Sequence, residues 1–144
     1  MNTQSNEQTL ALTFASAWNH VEQKLDGWLG AVRGISFAEY RLLRALADAP
    51  SAQASRVDLA AAVGLTPSGV TRALRPMEKL GMVSTLKSKR DARLAIAALT
   101  PAGRELLNEA SAVVDDTMRA LLERAPKASA AADDLVDLLD DLAR

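Results

Sequence analysis

The residues best equipped for chemistry lie in one run, Leu65-Thr66-Pro67-Ser68-Gly69-Val70-Thr71-Arg72-Ala73-Leu74-Arg75-Pro76-Met77-Glu78-Lys79-Leu80-Gly81. At about 100° per residue, Ser68, Arg72, Arg75 and Lys79 share one side of a helix, Val70, Leu74 and Met77 take the other, and Thr71 sits on the flank. A guanidinium pairs bidentately with guanine O6 and N7, and hydroxyls meet phosphates or base edges, so this face suits a DNA major groove. An ordinary solvated face has the same composition, and the helix alone does not separate the two readings.

The ends of this helix are written locally. Thr66 is a good N-cap, Pro67 suits the first helical position, where its missing N–H is no loss, and Gly81 suits a left-handed terminator. Pro76 is the irregularity. It cannot donate to the Arg72 carbonyl and its ring crowds that carbonyl, so a bend is expected after the second turn.

Two neighbouring elements position this helix. Upstream, Ser55 to Gly64 reads as a capped short helix, apolar at Val57, Leu59, Ala60 and Val63, and the two helices joined across Gly64 form a helix-turn-helix. Downstream, Met82 to Leu86 and Leu94 to Leu99 read as strands, with Leu94, Ile96 and Ala98 alternating on one side of the second. Between them Lys87-Ser88-Lys89-Arg90-Asp91-Ala92-Arg93 makes a basic hairpin tip. Helix pair, basic helix and basic wing together favour DNA over mere solvation. Lys87, Lys89 and Arg90 are expected to touch phosphate, which adds affinity without sequence information. Asp91 and Arg93, two apart on an extended chain, leave the same side, so the carboxylate can orient the guanidinium.

Leu65 to Arg72, Leu80-Gly81-Met82-Val83, Asp91-Ala92-Arg93 and Leu99-Thr100-Pro101-Ala102-Gly103 together resemble MarR-type (multiple antibiotic resistance regulator) winged helix-turn-helix regulators. The resemblance runs from near Ser36 to the helix starting at Thr100 and is only general in the outer helices. It implies that Arg93 enters the minor groove beside the recognition helix. Many relatives carry a second arginine where this chain has Ala92, which implies a weaker wing grip. The resemblance also implies a repressor-type regulator released by a small aromatic or phenolic effector, bound between the dimerisation helices and the winged domain. No motif assigns residues to that pocket.

With 144 residues, 49% hydrophobic and 24% charged, the chain is of one-domain size and can bury a real core. It has no cysteine, so thiol switches, disulfides and thiolate metal sites are excluded. The polar stretch Met1 to Gln8 and the lack of any long apolar run lead us to expect an unprocessed, cytoplasmic protein that does not enter a membrane. Net charge is only −1, but its distribution is uneven. Thr66 to Arg93 carries seven cations against two acids, +5, and Arg104 to Arg144 five cations against ten acids, −5. Such a gradient turns one end toward phosphate and the other away.

The outer segments read as helices. From about Glu7 to Val32, the residues Phe14, Trp18, Val21, Leu25, Trp28 and Val32 recur by four and three, extended by Leu10 and Leu29, nearly a heptad seam that wants a partner helix. The acidic C-terminal helices are candidates for that partner. Ser36-Phe37-Ala38-Glu39 is a capping box opening a second helix that ends at Asp48-Ala49-Pro50-Ser51. Thr100-Pro101 opens a long helix ended by Ala125-Pro126, and a last helix, about Ala128 to Arg144, aligns Leu135, Leu138, Leu139 and Leu142. These stripes exceed what so small a winged domain can bury, so a symmetric homodimer is expected.

Other chemistries lack parts. His20 is the single histidine, which removes histidine triads and multi-histidine metal sites, and no glycine-rich phosphate cradle occurs. Asp133, Asp137 and Asp141 form a row without a bent binding loop, a solvated acidic face. No enzyme, cofactor or metal is therefore expected. The fold expected is mainly α with a small β-hairpin wing: residues 1–34 a dimerisation helix, 35–100 a winged helix-turn-helix, and 101–144 C-terminal dimerisation helices. The function expected is sequence-specific binding of double-stranded DNA at a near-palindromic operator. The alternative is a helical protein-interaction module without DNA binding, which the +5 segment argues against.

Overall fold

The structure is a computed structural model that describes residues 3–87 and 95–144. Seven helices and three short strands follow in the order α1 (Asn6–Arg33), α2 (Phe37–Asp48), β1 (Gln53–Ser55), α3 (Arg56–Val63), α4 (Pro67–Lys79), β2 (Val83–Lys87), β3 (Ala95–Leu99), α5 (Pro101–Glu123), α6 (Pro126–Ala130) and α7 (Ala132–Leu142) among the described residues. A tight turn, Pro50–Ala52, leads into β1.

Most helix starts follow from caps. Ser36 accepts from the Glu39 amide while Glu39 returns to the Ser36 amide, so the expected capping box is formed. Ser55, Thr66 and Thr100 each accept from the amide three residues on, and Pro67 and Pro101 hold first-turn positions. Gly64 (φ 68°) and Gly81 (φ 76°) take the left-handed conformation that closes the helices before them.

One core joins α1 through α5 and the sheet, with no residue of α6 or α7 in it. Leu42, Leu43 and Leu46 of α2 are fully buried among Leu29, Leu59, Val63, Val70, Leu74, Met77, Val83, Ala97, Leu107 and Ala110. Helix α2 is thus the central post, against which the helix pair, the sheet and α5 all pack. The C-terminal end of α1 lies along α5, pinned by Arg33 Nε at 3.0 Å from Glu109 Oε2, and Asp26 accepts from the Phe37 amide at 2.8 Å. At the junction of α1 and α2, Trp18, Phe37 and Tyr40 form a chain of ring contacts about 5.7 and 5.8 Å between centroids. Ser111 donates to the Leu107 carbonyl, so the Tyr40 hydroxyl, 3.2 Å away, is the donor of the pair that ties α2 to α5.

Two readings from sequence need correction. The hairpin is part of a three-stranded antiparallel sheet, order β1-β3-β2, with Ser55 opposite Ile96 and Val83 opposite Leu99. Strand β1 has no branched or aromatic residue to announce it. Along β3, Ala97 and Ala98 are buried and Ile96 and Leu99 half-buried, with α2 packed against the strand. Pro126 starts α6 instead of merely ending α5, and the last helix is two, broken at Ala131. The partner of α1 is α5, one of the acidic C-terminal helices expected to cover it.

Candidate nucleic-acid interface

Helix α4 runs from Pro67 without interruption through Pro76 to Lys79. Its inner row, Val70, Leu74 and Met77, is buried to 1% exposure or less and fixes its rotation against α2 and α3. Ser68, Arg72, Arg75 and Lys79 are consequently exposed together, with Pro67 beside them at the exposed helix start. Among the described residues, no carboxylate pairs with Arg72, Arg75 or Lys79.

Lys87 ends β2 opposite Ala95 and is exposed, which places one cation where the hairpin begins. Lys89, Arg90, Asp91 and Arg93, and with them the expected Asp91–Arg93 pair, lie outside the described residues.

Thr71 is half-buried, and its hydroxyl is already engaged. It donates to the Pro67 carbonyl at 3.1 Å and accepts from Arg56 Nε at 3.0 Å. Arg56 was missed by sequence reasoning. From the first turn of α3 its Nη2 donates to Glu78 Oε1 at 3.0 Å, and the same carboxylate oxygen accepts from Thr85 Oγ1 of β2 at 2.7 Å. Three elements, α3, α4 and β2, are therefore joined through one guanidinium and one carboxylate. One signal was available: a cation in the first turn of a helix opposes the helix dipole, so Arg56 needs a partner elsewhere.

A second feature is an apolar groove of about 550 Å³ between α1 and α5, lined by Trp28, Val32, Val113 and Leu121 with Lys24 and Arg124 at its margins. Around it much of the predicted seam stays uncovered, including Leu10, Phe14, Trp18 and Trp28 on α1, while Leu25 and Leu29 are buried. On α7, Leu135, Leu138, Leu139 and Leu142 are all exposed. Among the described residues no group of three or more potential metal-binding side chains converges, and no helix is long and apolar enough to cross a membrane.

A capped helix pair followed by a small antiparallel sheet, carried between long outer helices, defines a winged helix-turn-helix protein. Residues 33–94 match the model described as the MarR family. The chain is 32% identical over 114 residues to the uncharacterized HTH-type transcriptional regulator YdgJ of Bacillus subtilis (strain 168), a match spanning 79% of this chain and 65% of that protein. In structure it is similar to NadR in complex with 4-hydroxyphenylacetate (TM-score 0.75, 27% identity, 100% of this chain and 99% of that one). A MarR family transcriptional regulator from Streptomyces coelicolor, in complex with DNA, shares the fold (TM-score 0.80, 23% identity, 100% and 92%).

Proposed function

We propose that the protein is a sequence-specific transcription regulator that binds double-stranded DNA as a homodimer. The observation that carries this reading is the exposed row Ser68, Arg72, Arg75 and Lys79 on a helix whose opposite side is locked into the core. Arg72 and Arg75 reach base edges in the major groove, and Ser68 and Lys79 hold phosphate. Lys87, Lys89 and Arg90 add phosphate contacts from the wing, and Arg93, oriented by Asp91, enters the neighbouring minor groove. The cationic recognition surface and the uncovered apolar outer helices are separate features, as a dimeric reader requires.

Two-fold symmetry requires a near-palindromic operator with half-sites about one helical turn, roughly 34 to 36 Å, apart. Selection of bound duplexes from a random pool tests the reading directly. Recovery of an inverted repeat with that spacing supports it; a folded, dimeric protein that enriches no sequence and binds no duplex at moderate salt overturns it.

We infer further that the protein is a repressor whose DNA affinity falls when a small aromatic acid binds. The groove beside Trp28, between α1 and α5, has the volume and the mostly apolar lining for such a molecule, with Lys24 and Arg124 as cations for its carboxylate and one acid, Asp116, that is paired with Arg119. Operator titrations with and without 4-hydroxyphenylacetate and related phenolic acids test it, since a ligand acts only through unequal affinity for the two forms. If none of these acids weakens operator binding, the effector reading falls while the DNA reading stands.

A further inference from the structure

We propose that Arg56 is a positioning residue for DNA reading, acting through Thr71 and Glu78 without touching DNA itself. The inference rests on the DNA-binding function proposed above.

Local rules disfavour this arginine. It occupies the first turn of α3, where the helix dipole is unfavourable to a cation, yet its side chain is only 18% exposed. What holds it there is a fork. Nε donates to Thr71 Oγ1 in the second turn of α4, and Nη2 donates to Glu78 near the end of the same helix, so two donors of one rigid plane grip α4 on either side of Arg75. A planar fork bound at two points fixes rotation as well as distance. The remaining Nη1 is buried without a partner among the described residues, a cost accepted for the other two bonds.

The consequences reach the reading surface. Arg72 is the residue next to Thr71, and Glu78 is the residue before Lys79, so the fork joins the buried row in holding the azimuth of the exposed cationic row. Thr85 donates to the Glu78 oxygen that Arg56 also engages, which extends the tie to β2 two residues before Lys87. With its proton committed to the Pro67 carbonyl and an oxygen lone pair to Arg56, Thr71 cannot donate to a phosphate or base in this arrangement. Position 71 is thus an anchor for the helix that carries the readers.

The test compares wild type, Arg56→Lys, Thr71→Val, their double variant and Thr85→Val. Each is titrated with the duplex recovered by selection and with a scrambled duplex of equal length, over a range of salt. Lysine keeps a charge for Glu78 but cannot donate in two fixed directions, and valine keeps the shape of threonine without its hydroxyl. Each single change at 56 or 71 is expected to lower the selected-to-scrambled affinity ratio about tenfold, and the double variant no more than either alone, because both cut one shared link. The salt slope stays near wild type, since no phosphate contact is removed. Thr85→Val, at an exposed position, is expected to lower the ratio about threefold by freeing the wing side of Glu78.

Additive losses in the double variant would mean that Thr71 meets DNA on its own account and would overturn the proposal. So would a salt slope reduced by about one in an added Arg56→Gln variant, which removes the charge and would mark a direct phosphate contact, or an unchanged ratio. A wild type with no preference for any duplex defeats the DNA-binding reading itself, an outcome distinct from these.

Discussion

The α-carbon of Gly103 faces the Met82 carbonyl so closely that no side chain fits between them. A Cβ built on Gly103 collides with that carbonyl and comes within 2.7 Å of Leu99 Cδ1. Thr100, three residues before, donates its hydroxyl to the Gly81 carbonyl at 2.6 Å and its amide to the Met82 carbonyl at 3.2 Å. The start of α5 is thereby seated on the turn that ends the recognition helix. Backbone cannot move aside as a flexible side chain can, so Gly103→Ala is expected to destabilise the fold by about 1–3 kcal/mol. Urea unfolding measures it; an unchanged midpoint contradicts the close seat.

The turn before β1 holds Ser51 (φ 56°) and Ala52 (φ 53°) in the left-handed region, which costs an L-residue roughly 1–2 kcal/mol. Ala52→Gly should relieve part of that strain. Stability is expected to rise by up to about 1 kcal/mol despite the greater freedom of glycine in the unfolded chain. A lower midpoint in the same urea assay would show that no strain is stored there.

The exposed leucines of α7 give the homodimer a direct test. Leu138 and Leu142 are 67% and 68% exposed, so charge placed on them leaves the packing within one chain intact. The Leu138→Asp/Leu142→Asp variant should sediment as a single chain with an unaltered helical spectrum, because burying two carboxylates in a dimer seam is costly. If it still sediments as a dimer, α7 lies outside the interface.

Arg72 and Lys87 should differ in kind. Arg72→Ala is expected to cost about 1–3 kcal/mol on the selected duplex and to relax preference at one base position per half-site. Lys87→Ala should weaken all duplexes alike and reduce the salt slope by about one. Equal, sequence-independent losses from both would remove Arg72 from the base-reading set.

Sequence determined this protein's local structure because the determinants lie within one or two helical turns. Thr66 with Pro67, Ser36 with Glu39 and Thr100 with Pro101 each start a helix through bonds three residues long, and Gly64 and Gly81 end helices by backbone conformation alone. The same periodicity sorted Val70, Leu74 and Met77 from Arg72 and Arg75. Only tertiary structure decided what depends on distant partners. Gln53–Ser55 became a strand because Ala97 and its neighbours present an open edge to it, not through any propensity of its own. Which residues of β3 are buried was set by where α2 lies. The hydroxyl of Thr71 was claimed by an arginine 15 residues away, and Glu78, which in sequence only subtracts from a positive count, became the knot between helix and wing. Hydrogen bonds that close over three or four residues are written in the chain order; those that close over fifteen or more exist only once the core has brought their ends together.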